Sequence, residues 1–285
     1  MRNPQDPTRL VVVDGVAQDA AAPALAADLP GVLRGEGIFE TFLVREGVPS
    51  AFLGLHDQRL RESARLCGFD LQGRGLLEAL DEILPHVREG AWRVRYTVLR
   101  APEGGLVRLW TAGDEPPPRS EVVLAVSEFR TDPAYPLAAA KTISRIGWQV
   151  ARQRAAAAGA FDCILPTVDG DLAECTSANL FVVQDGRIAT PGLDRGILDG
   201  VTRRTLLAAC AEAGIALAEE RVPLEALAAA DEVWVSNAVI GVVPASAILE
   251  HREDLPGGAG ASLAAVRTAY RDYLDRAAAH DSAGA

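Results

Sequence analysis

The chain has 285 residues, 49% hydrophobic and 24% charged, with a net charge of −11. The acidic balance, without a basic patch or basic–aromatic interleaving, argues against a nucleic-acid partner, and no apolar run reaches the length that spans a bilayer. The four cysteines, Cys67, Cys163, Cys175 and Cys210, are scattered and form no CxxC pair. No metal site or disulfide framework is expected from them. The opening MRNPQDPTRL lacks a charged-then-apolar leader pattern, which predicts a cytoplasmic protein.

A chain this long predicts two domains. Residues 9–16 read as a strand running into an Asp14-Gly15 turn, and 17–31 as loop or short helix. GEGIFETFLVREGVPSAF, from Gly35 to Phe52, holds a β-rich run over Ile38–Val44, a hairpin turn at Glu46-Gly47 and a return strand Val48–Phe52. Leu55–Cys67 carries apolar residues at helical spacing, and a second helix is expected over 74–88. Strands follow over 91–100, 106–111 and 122–126. Strands in runs with helices to one side point to an α+β fold for a first domain over 1–128. The stretch 129–140, with two prolines and no period, reads as an interdomain linker. A second domain then covers 141–285. Its expected elements are a helix over 145–158, a strand Cys163–Val168 ending at Asp169-Gly170, and a hairpin Ala178–Gln184 and Arg187–Thr190 around Asp185-Gly186. A helix over 201–213, a strand over 231–235 and a C-terminal helix over 261–279 complete it.

Lys141 is the only lysine, although Lys and Arg together number 28. Arginine replaces lysine at most surface sites, but guanidinium stays protonated and cannot attack carbon as an amine can. The position just past the linker, at a domain junction, suits a small-molecule site. Glu174 in DLAECTSANLF lies between a turn and an apolar strand, where an acid needs a reason to be. In GILDGVTR, Gly200 allows close backbone approach, while Val201 and Thr202 present N–H groups and a hydroxyl at a helix N-terminus, as a phosphate site does. Asn237 and Ala238 follow the strand DEVWV in a loop of small residues. Taken singly, these features also fit a surface lysine, a solvated loop acid and an ordinary helix cap. Together they suit pyridoxal 5′-phosphate, which needs a lysine, a group facing its pyridine nitrogen and a phosphate cup.

The set GEGIFET, LHDQRL, Lys141 with Arg145, LAECTSANLF, GILDGVTR and VWVSNAVIGVVP resembles the class IV pyridoxal-phosphate enzymes, in that family's order and spacing. These include branched-chain and D-amino-acid aminotransferases and 4-amino-4-deoxychorismate lyases. The resemblance runs from about Gly35 to Pro244. It implies a two-domain α+β fold, with a small N-terminal α/β domain, a larger C-terminal pseudo-barrel domain, the cofactor between them and a homodimer completing the site. It further implies that Lys141 is the catalytic residue joined to the cofactor, that Glu174 pairs with the pyridine nitrogen and that Arg59 of LHDQRL binds the phosphate. By the same resemblance Gly200, Val201, Thr202, Asn237 and Ala238 complete the cofactor site, and Leu198 packs on the ring. Phe39, Arg145 and Asn237 are the expected contacts to a small amino-acid-like substrate. Ile146 stands where the branched-chain enzymes carry a tyrosine, and KTISRI is similar to the lyase pattern, although Ser144 replaces an asparagine. The family's early Asp-Arg motif is missing, with DLPGVLRGEG in its place. The expected activity is therefore release of pyruvate and 4-aminobenzoate, for folate synthesis. The alternative is an aminotransferase acting on branched-chain or D-amino acids with a 2-oxo acid acceptor.

Overall fold

The computed structural model describes residues 8–21 and 25–283. They form two compact units, Met1–Pro117 with Ala140–Arg145, and Pro118–Ala139 with Ile146–Ala285. The division differs from the one expected at 128 and 140. Most of the proline-bearing stretch packs with the second unit, and Lys141 packs with the first. The reason is backbone pairing: residues on either side of Thr142 hydrogen-bond to a strand of the first unit, whatever their place in the chain.

The first unit is built from β1 (Thr8–Val13), β2 (Val16–Gln18), α1 (Pro30–Leu33), β3 (Gly37–Arg45), β4 (Val48–Pro49), α2 (Leu53–Cys67), β5 (Ala91–Arg100) and β6 (Leu106–Asp114). The strands make one antiparallel sheet in the order β2-β1-β6-β5-β3-β4. Asp14-Gly15 and Glu46-Gly47 both take positive φ at each residue, the geometry that suits two-residue hairpins and favours glycine at the second position. The return strand ends at Pro49 rather than Phe52. Proline offers no N–H to the ladder, and Phe52 adopts φ 65° at the start of α2. The helix expected over 74–88 is two short 3-10 turns, Leu77–Glu82 and Leu84–His86. Pro85 interrupts the segment, and Asp57 of α2 accepts the N–H of Leu76 at 2.6 Å.

Alternation along the strands separates two faces. Ile38, Phe42 and Val44 of β3, with Val94, Tyr96 and Val98 of β5, pack on Leu60 and Ala64 of α2 and on Trp110. The other face carries Phe39, Thr41 and Leu43 opposite Thr97, Arg95 and Arg93.

The second unit comprises β7 (Val122–Val126), α3 (Ile146–Ala157), β8 (Asp162–Pro166), β9 (Leu172–Cys175), β10 (Asn179–Gln184), β11 (Arg187–Pro191), α4 (Val201–Glu212), β12 (Leu217–Glu220), α5 (Ala226–Ala229), β13 (Glu232–Asn237), β14 (Gly241–Ile248) and α6 (Ala261–Ala283). A mixed eight-stranded sheet runs β12-β11-β10-β13-β14-β7-β8-β9. Its middle strands are buried on both faces. Leu180, Val182, Val233 and Val235 enter one core, while Phe181, Val183 and Trp234 enter another with Leu206, Leu263 and Val266 of α4 and α6. A sheet covered on both sides reads as unbroken apolar runs. Buried Arg203 ties α4 to the sheet, donating to Pro191 O at 2.8 Å and Glu219 Oε1 at 2.5 Å. Glu232 accepts the N–H groups of Ser262 and Leu263 at the start of α6, at 2.8 and 3.0 Å.

One buried acid fastens α2 to the first unit's sheet. Glu40, on the core face of β3, is fully buried. Its carboxylate accepts Arg59 Nε at 2.8 Å and Nη2 at 2.7 Å, and lies 2.8 Å from His56 Nδ1. Burial pushes the carboxyl up, but Arg59, and then His56, outweigh it and hold it at about 2. Burial drives the His56 imidazole down, and the opposing pull of Glu40 does not restore it. His56 is therefore neutral and donates Nδ1–H to Glu40. Replacing Glu40 by Gln should lower the unfolding free energy by roughly 3 kcal/mol, the scale for breaking a buried ion pair. The folded-state carboxyl titrates below its usual 4.5, so unfolding takes up a proton between those values. Denaturant melts should show the full gap between wild type and variant above pH 4.5, narrowing as pH falls towards 2. A gap independent of pH would count against an ionic contribution.

Candidate active site

Lys141 lies on the edge of β3. Two-residue β4 pairs only with Val44 and Arg45, leaving the first half of that edge open. There the Phe39 N–H donates to Lys141 O at 3.0 Å and the Ile143 N–H to Gly37 O at 2.9 Å. The glycines of GEGIFET admit this close approach. A Cβ at Gly37 would come 2.8 Å from Ile143 Cδ1. Gly35 takes φ +68°, and its carbonyl accepts the Ser144 hydroxyl at 2.8 Å. Buried Ser63 of α2 accepts the Lys141 N–H at 3.0 Å. The Lys141 amine sits 4.7 Å from the centroid of the Phe39 ring.

The same ring carries a second cation. Arg95 Cζ lies 3.6 Å above Phe39, and its Nε donates to Thr97 Oγ1 at 3.2 Å. Burial, then the charges of Arg145 and Arg93, push Arg95 down to about 10, so it remains cationic at neutral pH. Burial also pushes half-buried Arg93 down. Arg93 and Arg95 thus share the face that holds Phe39, and Arg145 lies near enough for its charge to act on Arg95. Of these the sequence reading singled out only Arg145. AWRVRYTVLR carries the signal for the other two, since alternation puts Arg93, Arg95 and Thr97 on one face. The register of β3 against β5 is what brings that face to Phe39.

Arg59 projects from α2 and forks onto Glu40. Glu40, His56 and Ser63 were not anticipated, although an acid inside the apolar run IFETF was as conspicuous as Glu174.

The second unit brings together Glu174, Leu198, Gly200 and the start of α4. Glu174 Oε2 accepts the Leu198 N–H at 3.2 Å and Asn179 Nδ2 at 3.2 Å, and the same Asn179 amide donates to Leu198 O at 3.0 Å. Asn179 thereby links the acid to the loop entering α4. It escaped the sequence reading because its reach to Leu198 spans 19 positions. Gly200 caps α4 without a side-chain bond, and no acid occupies the first turn. A Cβ at Gly200 would fall 1.8 Å from Asn179 Oδ1. Thr202 is buried, and one turn on, the Thr205 hydroxyl bonds that of Tyr270 at 3.3 Å. Ser236 Oγ, across the ladder from Asn179, is buried without a partner among the described residues. Asn237 spends its side chain on its own loop. Its Oδ1 accepts the N–H of Val239 and Ile240 at 2.8 and 2.9 Å, and its Nδ2 donates to Ser177 O at 3.0 Å. Ala238 sits inside that turn.

These groups fit a pyridoxal phosphate. A helix whose first turn carries no acid suits an anion, Asp199 just before it lying near Arg203 and Arg204 instead; an acid suits a cationic ring nitrogen, and an orphaned buried hydroxyl awaits a partner. Among the described residues, no helix is long and apolar enough to cross a membrane and no cluster of His, Cys, Asp and Glu could hold a metal.

Residues 37–248 match the family described as amino-transferase class IV. The chain is 29% identical over 262 residues to an aminodeoxychorismate lyase of Bacillus subtilis, covering 85% of this chain and 87% of that one. It is 30% identical over 234 residues to a probable branched-chain-amino-acid aminotransferase of Thermotoga maritima, covering 79% and 83%. The crystal structure of 4-amino-4-deoxychorismate lyase from Pseudomonas aeruginosa superposes with a TM-score of 0.79 at 28% identity, over 93% of this chain and 100% of that one. The chain therefore belongs to the class IV aminotransferase family, the pyridoxal-phosphate enzymes that act on small amino-acid-like substrates as lyases or transaminases.

Proposed function

We propose that this enzyme is a 4-amino-4-deoxychorismate lyase, releasing 4-aminobenzoate and pyruvate. The observation that supports this reading is Arg95 stacked on Phe39 beside the Lys141 amine, with Arg93 on the same strand face and the charge of Arg145 acting on Arg95. The substrate bears two carboxylates and an amine. Carboxylates call for guanidinium forks, whereas a leucine side chain calls for an apolar wall. The lyases among the relatives support the same choice.

When bound, pyridoxal phosphate supplies an electron sink for the bond broken beside the substrate amine. In this reading the Lys141 amine would hold the cofactor and would move the proton at the substrate's amine-bearing carbon. Glu174, oriented by Asn179 and the Leu198 N–H, would hold the proton of the ring nitrogen. Val201, Thr202 and the Ala238 loop would hold the phosphate, and family resemblance adds Arg59. Leu198 would pack against the ring. Arg95, with Arg93 and Arg145 near it, would orient the carboxylates. Asn237 shapes the Ala238 loop.

A second reading has its own support. A 2-oxo acid acceptor with two carboxylates would suit the same arginines, and an aminotransferase stands among the relatives. Pyruvate release from aminodeoxychorismate decides between them. The lyase forms pyruvate without any 2-oxo acid. Turnover of leucine or D-alanine with 2-oxoglutarate, and no pyruvate from aminodeoxychorismate, would establish the transaminase.

Replacing Arg145 by Ala should cut kcat/KM on aminodeoxychorismate by roughly ten- to a hundredfold, the loss of one charge-assisted contact, with cofactor affinity unchanged. Unaltered kinetics would remove Arg145 from the substrate site. Borohydride reduction of the loaded enzyme should fix the cofactor on the peptide containing Lys141, and Lys141→Arg should abolish both labelling and turnover. Label on any other peptide would refute the assignment. For Gly200→Ala, a Cβ 1.8 Å from Asn179 Oδ1 must displace the loop. Titration should show cofactor binding weakened about tenfold or more, and an undisturbed affinity would place the phosphate elsewhere.

A further inference from the structure

Several buried acids take no part in the reaction as read above, and Asp162 is the one bonded to the turn beside Glu174. Asp162 opens β8 and is fully buried. Its Oδ1 accepts the N–H of Cys163 at 2.7 Å, the N–H of Thr176 at 3.2 Å and the Thr176 hydroxyl. Its Oδ2 accepts the N–H of Ser177 at 3.1 Å and the Ser177 hydroxyl at 2.6 Å. A carboxylate taken from water needs such donors, and here four of the five come from two consecutive residues.

Those two residues are the centre of a tight turn, closed by the Cys175 N–H donating to Ala178 O at 2.8 Å. The turn joins β9 to β10. Glu174 lies two residues before Thr176, and Asn179, which bonds the Glu174 carboxylate, lies two residues after Ser177. The Ser177 carbonyl also accepts Asn237 Nδ2 at 3.0 Å. One carboxylate therefore holds the stem of Glu174, the stem of its partner Asn179 and the anchor of the Ala238 loop. A turn that needed only stability could use a glycine or asparagine of its own. Gripping both middle residues by backbone and side chain from a neighbouring strand fixes where the turn sits as well as its shape.

We propose that Asp162 is a positioning residue for the reaction, setting the place of the Glu174 carboxylate through the Thr176–Ser177 turn. It does so by ground-state geometry alone and touches no reacting atom. The proposal rests on the assignment of Glu174 to the ring nitrogen. Misplacement of a working group by about an ångström costs up to ~100-fold in rate.

The test is a double-variant cycle on the holoenzyme, with Asp162→Asn, Glu174→Gln and both together. Asp162→Asn keeps the side chain's shape but turns an amide towards the Ser177 donors. It should lower kcat roughly tenfold with KM within about twofold. It should also shift the pH titration of the cofactor's visible absorbance in the same direction as Glu174→Gln does. In the Glu174→Gln background it should lower kcat no further, because residues acting through one another are not additive. An equal fractional loss in both backgrounds, an unmoved titration or an unchanged kcat would overturn the proposal. If Glu174→Gln itself leaves kcat intact, the reading of Glu174 has failed instead, and the two failures are distinct. Should Asp162→Asn not fold, Ser177→Ala removes a single donor and carries the same cycle. It should cost about threefold in wild type and nothing more beside Glu174→Gln, and additive losses there would again overturn the proposal.

Discussion

The pairing of Lys141–Ile143 with the open half of β3 is the constraint that fixes where Lys141 stands. It takes a lysine remote in sequence from β3 and fixes its main chain by hydrogen bonds from Phe39 and to Gly37. Three features make this possible. The partner strand β4 stops at Pro49, so the edge is available. Gly35 and Gly37 carry no side chain that would hold the incoming backbone away. Ser63 of α2 takes the Lys141 N–H, so no main-chain donor is left unpaired at that point. The side chain alone then remains to be directed, and it lies over Phe39.

Both units place carboxylates in dry surroundings and satisfy them differently. Glu40 meets one guanidinium and one neutral imidazole. Its low folded-state value is an electrostatic consequence of Arg59 overcoming burial. Asp162 meets N–H and O–H groups. The first arrangement locks a helix onto a sheet, and the second locks a turn. In each case the acid occupies a position where removal would strand polar groups without water.

The charge distribution runs against the whole-chain balance. The protein carries a net charge of −11, yet Arg93 and Arg95 share one strand face and Arg145 comes close enough for both neighbours to depress Arg95. Like charges placed together cost stability. A bulk net charge is thus a poor guide to the local field, because interactions inside a partly buried site are screened far less than those across the surface.

Local patterns in the sequence determined much of this protein. Paired turn residues such as Glu46-Gly47 and Asp185-Gly186 announced their hairpins, because positive φ is tolerated by few residue types. Helical spacing marked α2, a run of β-forming residues marked β3, and alternation marked β5. A single lysine among many arginines drew attention to Lys141, since guanidinium cannot attack carbon as an amine can. Other features belonged to tertiary structure. Pro85 and a bond from Asp57 replaced an expected helix with 3-10 turns. Strands β9, β12 and β14 escaped notice, being short or lacking alternation. Glu40 with Arg59, Arg95 with Phe39, and Asp162 with Ser177 were decided by strand register and helix packing. Chain periodicity places a residue on a face. Which remote face it meets depends on how the sheet is ordered, and that is a property of the folded chain alone.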